Sequence, residues 1–270
     1  MIPKVIHYCW FGGNKKPEAV KRCINSWKKF CPEYTIVEWT EQNYDVSLHP
    51  YTKEAFEAKR WAFVSDFARL WIIYEYGGIY LDTDVELIKP LDIVLDNQYF
   101  LAIETVTNEY LGTVTSHVAT GLGFGAEPKN EIVLSMLNEY NNVHFIKQDG
   151  SFDLTPCPIR NNNAIVKIGY RNNDELLNTC GGTIYPSEFF CPEDYGSDVK
   201  RYTENTISIH HYSATWKTRR EKVENNMKST IKKLIKMYRG GVIRTLTIPT
   251  TTNCNECCPT NKLLDGGRVA

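Results

Sequence analysis

Two aspartates one residue apart, Asp82 and Asp84, follow an apolar run in the stretch GGIYLDTDVEL, residues 77–87. In an extended chain alternate side chains share a face, so these carboxylates would lie side by side and repel each other. A divalent cation removes that repulsion, because Mg²⁺ and Mn²⁺ take oxygen ligands and share them with phosphate groups. The pair therefore predicts a metal site that also binds phosphate, and a solvated acidic turn is the alternative for the triplet alone.

Two other acidic motifs fit this stretch less well. A calcium loop needs glycine at its sixth position, where this chain has Leu87. The haloacid-dehalogenase phosphatases have Asp-x-Asp-x-Thr/Val after a strand, and here Glu86 occupies the last position. A phosphatase with Asp82 as nucleophile stays open as an alternative function, as does a non-catalytic carbohydrate-binding protein.

The elements around the aspartates predict an α/β fold with a parallel sheet. Residues 3–10 and 34–39 have strand patterns on either side of a helical pattern at 18–30. Residues 61–76 predict a largely buried helix that Gly77 and Gly78 end, and a short strand then leads to the acidic pair. The aspartates would thus lie at the carboxyl end of a strand, where open α/β sheets bind ligands.

Composition limits the classes of partner. The chain has 270 residues, 42% of them hydrophobic, and a net charge of −1, so we expect one large domain, with or without an appendage, and no nucleic-acid partner. The first residues show no signal-peptide pattern, and no run approaches ~18 apolar residues. With nine scattered cysteines, these features predict reduced thiols and a cytoplasmic location.

Three blocks of the sequence carry a family resemblance. FVSDFARLWIIYEYGGIYLDTDVEL at 63–87, IPKVIHYCWFGG at 2–13 and IHHYSATW at 209–216 occur in the same order as in DXD glycosyltransferases of the family 32 type. That group includes fungal mannosyltransferases and bacterial capsule and lipopolysaccharide sugar transferases, and the clostridial glucosylating toxins share its core pattern. The resemblance spans roughly residues 1–216.

The resemblance implies a fold, a reaction and a cofactor. The fold would be GT-A, a Rossmann-like nucleotide-sugar-binding mixed central sheet flanked by helices. The reaction would transfer a hexose from a nucleotide sugar, UDP-sugars first, to a saccharide or lipid-linked saccharide of surface polysaccharide synthesis. Configuration at the anomeric carbon would be retained. Mn²⁺ or Mg²⁺ would be bound by Asp82 and Asp84 and would stabilise the leaving nucleoside diphosphate.

The resemblance also assigns roles near the predicted helix 61–76. Ser65, Asp66 and Arg69 match the family's SD-xx-R pattern, and positions i and i+3 of a helix share a face. Asp66 would accept hydrogen bonds from sugar hydroxyls, and Arg69 would pair with Asp66 or a donor oxygen. An ordinary intrahelical ion pair is the alternative. Trp10 would stack on the nucleobase, and Tyr80 would touch ribose or phosphate.

The third block supplies the remaining candidates. His211, rather than His210, is chosen as the third metal ligand, because neutral imidazole commonly binds metals. Trp216 and Lys217 would close over the diphosphate. Gly121, in the loop GLGFG, would let the backbone approach a substrate. No residue stands out as a catalytic base or nucleophile, which fits a retaining reaction in which the leaving phosphate takes the acceptor proton.

The last part of the chain differs in character from residues 1–216. Residues 217–239 predict a basic amphipathic helix, typical either of contact with the inner face of a plasma membrane or of a helix packed on the domain. Residues 240–270 predict an irregular tail. Its CNECC, at 254–258, has no second ligand pair at zinc spacing.

Overall fold

The computed structural model describes residues 1–108, 112–179, 181–194 and 197–213, all within one compact unit. Trp216, Lys217 and the predicted segments 217–239 and 240–270 lie outside the described residues. The helices are α1 (Glu18–Phe30), α2 (Pro50–Glu57), α3 (Trp61–Tyr76), α4 (Glu131–Asn138), α5 (Cys157–Val166) and α6 (Ser187–Phe190). The strands are β1 (Val5–Cys9), β2 (Thr35–Trp39), β3 (Gly78–Tyr80), β4 (Val85–Leu87), β5 (Tyr99–Asn108), β6 (Thr113–Val118), β7 (Phe124–Ala126), β8 (Leu177–Thr179), β9 (Gly182–Tyr185) and β10 (Ser208–His210).

The main sheet is mixed. Its order is β2-β1-β3-β7-β5-β9-β8, and β6 pairs with β5. Strands β2, β1 and β3 run parallel, β7 is antiparallel to both β3 and β5, and β9 runs parallel to β5. A separate antiparallel pair joins β4 to β10, with Ile209 opposite Glu86. The predicted α/β fold, with a mixed central sheet flanked by helices, is confirmed.

Helix α1 packs on the strand that follows the two aspartates. Its apolar side buries Val20, Ile24 and Trp27, as its helical spacing predicts. The Trp27 indole donates a 2.7 Å hydrogen bond to the carbonyl of Val85. Ser26 Oγ accepts a 2.9 Å hydrogen bond from Leu87 N–H. These two bonds fix β4, and with it the position of Asp84, against the helix.

Helix α3 ends where the sequence predicts. Gly77 has a positive φ of 66° and donates its N–H to the carbonyl of Ile73 at 2.9 Å. A Cβ at Gly77 would approach Pro128 to 2.6 Å, so the turn needs glycine both for its φ and for space. The chain passes directly from this turn into β3 and then to Asp82.

A buried histidine ties this turn to the sheet. His7 of β1 is 3% exposed. Trp39 donates its indole N–H to His7 Nδ1 at 3.0 Å, and His7 Nε2 lies 3.1 Å from the carbonyl oxygen of Gly77. Nδ1 therefore accepts and Nε2 carries the donated proton, which makes the ring neutral. Burial lowers the pKa of His7 to about 4, although the bond to Gly77 opposes the shift.

Within the described ranges, no helix is both long enough and apolar enough to cross a membrane.

Candidate active site

A cavity of about 610 Å³ opens at the carboxyl ends of β1 and β3. Trp10 and Phe11 line it after β1, and Asp82, Thr83 and Asp84 line it after β3. Helix α3 contributes one wall, and β5, β10 and the start of α5 contribute others. The acidic pair therefore lies where the predicted topology placed it, at the ligand-binding end of the strands.

Asp82 is held from three directions. Its N–H donates to the carbonyl of Gly121 at 3.0 Å, and its carboxylate accepts from the Tyr80 hydroxyl at 3.1 Å. Arg69 Nη2 lies 3.3 Å from Asp82 Oδ1. Burial raises the pKa of Asp82, and the charge of Asp84 adds to that shift while Arg69 opposes it. A Cβ at Gly121 would clash with the Asp82 carboxylate, so this glycine provides the space that the carboxylate occupies.

Asp84 is held by the segment that contains β10. His210 Nε2 lies 3.2 Å from Asp84 Oδ1, and Ser213 N–H donates to Oδ2 at 2.8 Å. Burial alone would raise the pKa of Asp84, but the bonds from His210 and Ser213 bring it below the usual value. Asp84 is therefore an ionised carboxylate at neutral pH.

Asp82, Asp84 and His210 form a cluster that fits a divalent cation. One ligand atom from each residue lies within 4.8 Å of the other two. Carboxylate oxygens suit Mg²⁺ and Mn²⁺, and imidazole is a common ligand of transition metals. His210 Nδ1 is buried and has no hydrogen-bond partner among the described residues. No described contact of Nδ1 therefore fixes the orientation of the ring. Burial opposes protonation of His210, but Asp84 raises its pKa overall, so a cation at Nε2 would take the place of a proton.

The structure places His210, not the chosen His211, beside Asp84. His211 Nε2 instead lies 2.8 Å from Glu86 Oε2, and both side chains are about two-fifths exposed, at 40% and 43%. Consecutive side chains at a strand end point to opposite faces, so only one of two adjacent histidines can face the aspartates. The pairing of His210 with Val85 decides which one does.

Arg69 links the predicted helix motif to the acidic pair. The guanidinium lies 3.1 Å from Asp66 Oδ1 as well as beside Asp82, and its Nε donates to the carbonyl of Ser65 at 3.1 Å. The guanidinium carbon, Cζ, lies 4.9 Å from the centre of the Tyr80 ring. Burial disfavours its charge, yet the two carboxylates raise the pKa of Arg69. Arg69 therefore does more than form an intrahelical pair: it joins α3 to the carboxyl end of β3.

The predicted residues Trp10, Tyr80 and Ser65 all line the cavity but have different hydrogen-bond partners. Trp10 lines it, donating its indole N–H to the carbonyl of Asn14 at 2.6 Å, with Lys16 Nζ 5.7 Å from the ring centre. Tyr80 also lines it, but it is 1% exposed and acts on Asp82. Ser65 lines it too, and its hydroxyl donates to the carbonyl of Trp61 within its own helix at 3.1 Å.

Two features of the cavity were not predicted. The first is Glu104 of β5, which lines the cavity and whose Oε2 lies 3.1 Å from Nε2 of His117 on β6. The sequence signal for Glu104 was an acidic residue directly after the apolar run FLAI. Its partner His117 can be identified only from the pairing of β5 with β6. The second feature is an apolar wall between α3 and the start of α5, formed by Trp61, Ala62, Phe63, Leu154, Pro156 and Pro158.

The comparisons with known proteins agree with this geometry. Residues 17–101 match the family model described as "Glycosyltransferase sugar-binding region containing DXD motif". The match includes α1, α3, β3 and both aspartates, so the part of the chain that carries the acidic pair is similar to the sugar-binding region of DXD glycosyltransferases. The phosphatase alternative is not favoured.

Two yeast mannosyltransferases are among the proteins that the chain resembles in sequence. Over 165 residues the chain is 27% identical to inositol phosphoceramide mannosyltransferase 1 of Schizosaccharomyces pombe, a match covering 54% of this chain and 46% of the relative. Over 106 residues it is 36% identical to inositol phosphoceramide mannosyltransferase 3 of the same yeast, covering 35% of this chain and 27% of the relative. The chain thus spans less than half the length of these relatives.

Among solved structures, the chain resembles one described as PaToxG glycosyltransferase. The TM-score is 0.44 at 15% identity, and the match covers 62% of this chain and 69% of that one. A TM-score of 0.44 is too low for this similarity to bear on the site.

Proposed function

We propose that this chain is a metal-dependent, retaining glycosyltransferase that moves a hexose from a nucleotide sugar to a hydroxyl of a saccharide or lipid-linked saccharide. The observation that carries the proposal is the cluster of Asp82, Asp84 and His210 in the cavity, with Asp66 and Arg69 adjoining it. The match of residues 17–101 to a DXD sugar-binding region supports the same conclusion.

Asp82, Asp84 and His210 would hold the cation, Mn²⁺ or Mg²⁺. When bound, the cation supplies positive charge that stabilises a departing nucleoside diphosphate. Tyr80, Arg69 and the space at Gly121 fix the Asp82 carboxylate before any ligand arrives. Ser213 N–H does the same for Asp84. Such preorganisation means that little reorganisation is needed when substrate binds.

Asp66 and Arg69 are proposed to orient the donor sugar. Asp66 is held by Arg69 at 3.1 Å and lines the cavity. The remaining lone pairs of Asp66 can accept hydrogen bonds from sugar hydroxyls. Trp10, which also lines the cavity, would stack on the nucleobase, and such stacking is worth about 1–3 kcal/mol per base in proteins that bind single strands. Trp216 and Lys217 are proposed to cover the diphosphate.

The donor and acceptor classes follow from the resemblance and the relatives. The names of the two yeast relatives are those of mannosyltransferases that use inositol phosphoceramide, which supports a hexose donor. The apolar wall that includes Trp61, Phe63 and Leu154 would suit an acceptor with a hydrophobic portion. We place the reaction in surface polysaccharide synthesis, in the cytoplasm, with residues 217–239 contacting the inner face of the plasma membrane.

Thermal denaturation with nucleotides tests the proposal. UDP or GDP with Mn²⁺ should raise the melting temperature by roughly 5 °C at saturating ligand, because a ligand of the folded state stabilises it. Asp84→Ala should abolish this shift. The matched control is Glu86→Ala, which removes an exposed carboxylate paired with His211 two residues away and should leave the shift intact.

A panel of UDP- and GDP-hexoses then separates the alternatives. Release of nucleoside diphosphate by the wild type, abolished by Asp84→Ala, is expected of a transferase and excludes a non-catalytic sugar-binding protein. The anomeric configuration of the product, read by NMR coupling constants, tests retention. No stabilisation by any nucleotide and no donor turnover would contradict the proposed function.

A further inference from the structure

Glu104 is a carboxylate in the cavity wall to which neither the metal cluster nor the donor side assigns a role. It lies on β5, directly opposite His117 on β6. Its neighbour Thr105 points the other way and is 1% exposed, as strand alternation requires. Glu104 thus faces the cavity, with its side chain 16% exposed.

Three groups hold Glu104 in its ionised form. His117 Nε2 lies 3.1 Å from Glu104 Oε2, as expected of side chains that lie directly opposite each other on paired strands. Burial raises the pKa of Glu104, but hydrogen bonds from His117 and Tyr212, with the charges of His117 and His210, bring it below its usual value. The Tyr212 hydroxyl is itself 3.0 Å from Cys191 Sγ. A carboxylate has about four lone-pair sites, so two donors leave room for substrate.

Glu104 and the donor-sugar residues are connected to different parts of the metal cluster. Arg69 of α3 contacts Asp82. His210 contacts Asp84, and the charges of His210 and Glu104 affect each other's pKa. The contacts therefore link Asp66 and Arg69 to Asp82, and they link Glu104 to the His210 end of the cluster. If Asp66 and Arg69 bind the donor sugar as proposed above, Glu104 is available to the acceptor.

We propose that Glu104 binds a hydroxyl of the acceptor sugar, with His117 as its positioning residue. The inference rests on the proposed function and extends it to the choice of acceptor. A fixed anion accepts hydrogen bonds from neutral hydroxyls and repels phosphate. The acceptor group that meets Glu104 is therefore an uncharged sugar hydroxyl, and a phosphate of a lipid-linked acceptor lies elsewhere.

The test measures donor turnover in the presence of simple glycosides. Octyl gluco-, galacto- and mannopyranosides serve as probes, with the donor that the wild type hydrolyses fastest. A bound glycoside changes the rate of nucleoside diphosphate release, either by accepting the sugar or by excluding water. The concentration that gives half of that change is the quantity compared between variants.

Glu104→Gln should raise this half-effect concentration about tenfold or more, because it removes a hydrogen bond to a charged group. Donor hydrolysis without glycoside should stay within about twofold of wild type, as should stabilisation by nucleoside diphosphate and Mn²⁺. His117→Gln should shift the half-effect concentration in the same direction by a smaller factor. The matched control is Glu54→Gln, another glutamate bound to a histidine, with His144 Nδ1 at 2.6 Å but outside the cavity lining; it should behave as wild type.

Two results with the Glu104→Gln variant would overturn the assignment while leaving the proposed function standing. One is an unchanged half-effect concentration in Glu104→Gln. The other is a loss of glycoside-free hydrolysis as large as the loss of glycoside effect, which would place Glu104 on the donor. Indifference of the wild type to all three glycosides also contradicts an acceptor hydroxyl site here. Absence of donor turnover in the wild type is different, since it contradicts the proposed function itself.

Discussion

Two sides of the cavity hold their polar groups differently: the parallel side, formed by α3 and the carboxyl ends of β1 and β3, and the side of Glu104 in the β5–β6 hairpin. On the parallel side, Arg69 is 5% exposed and His7 is 3% exposed, and both sit in closed sets of short contacts. The hairpin supports Glu104 through an imidazole, and its far end exposes Val114 at 61%. An arginine keeps its charge at any pH that a protein meets, whereas an imidazole does not.

This contrast suggests a division of tasks. In the proposed function, groups on the parallel side would bind what every catalytic cycle shares, the cation and the nucleotide sugar, and their contacts also stabilise the fold. The hairpin would present a specificity residue on an element whose residues near the tip, such as Val114, are exposed. Changes on the parallel side should therefore lower stability, and changes near the hairpin tip should not.

The largest effect is expected from Arg69→Met. This change leaves Asp66 and Asp82 close together without their shared cation, and breaking a buried pair costs about 3–5 kcal/mol. Urea denaturation should show the loss. Lys167→Met provides the comparison, because Lys167 pairs with Glu139 at 3.1 Å but is 67% exposed, and such pairs are worth about 0–1 kcal/mol. Equal losses in the two variants would show that the buried contacts of Arg69 add no more stability than an exposed ion pair.

The second prediction concerns acid. The pKa of His7 is about 4 in the folded chain, below the ordinary histidine value of 6.5. The unfolded chain thus binds more protons between these values, and stability falls as pH drops from about 6.5 towards 4. From pH 7 to pH 5 the contribution of His7 to this loss should be about 2 kcal/mol.

Comparison of the wild type with His7→Gln isolates that contribution. Each protein is unfolded in urea at pH 7 and pH 5, and the two losses are subtracted, so that other titrating groups cancel. The variant should lose about 2 kcal/mol less than the wild type over this interval. Identical pH dependence would show that Trp39 and Gly77 do not keep this ring neutral.

The smallest effect is expected at the hairpin tip. Val114→Thr exchanges one β-branched side chain for another at an exposed strand position, and such surface changes usually stay within about 0.5 kcal/mol. Urea denaturation and the nucleotide-induced shift should both match the wild type. A large loss would show that the tip is as tightly held as the parallel strands.

Helix α3 and the acidic pair could be located from the sequence because their signals are local. The apolar spacing of residues 61–76 and the glycine at Gly77 predicted helix α3. The short strand between Gly77 and Asp82 predicted the position of the acidic pair. The contact of Arg69 with Asp66 followed from the i, i+3 relation. Its second contact, with Asp82, depends on how α3 packs against β3, which no local pattern encodes.

The residues that sequence reasoning misplaced or missed depend on strand pairing. The choice between His210 and His211 is a one-residue question of register, decided by the pairing of β10 with β4. Glu104 is a lone acidic residue until β6 brings His117 opposite to it. Pairing of this kind joins two separate segments, so the sequence of either segment alone could not reveal it.

The β4–β10 pair makes the candidate metal cluster depend on a strand that is synthesised late. Asp84 and His210 come from distant parts of the described chain, and backbone bonds such as His211 N–H to the carbonyl of Asp84, at 3.0 Å, align them. During synthesis, a chain that has emerged only as far as β9 presents two carboxylates without their imidazole. The proposed cation site would then reach full affinity only once β10 has paired with β4, so a partly synthesised chain would bind the cation less tightly.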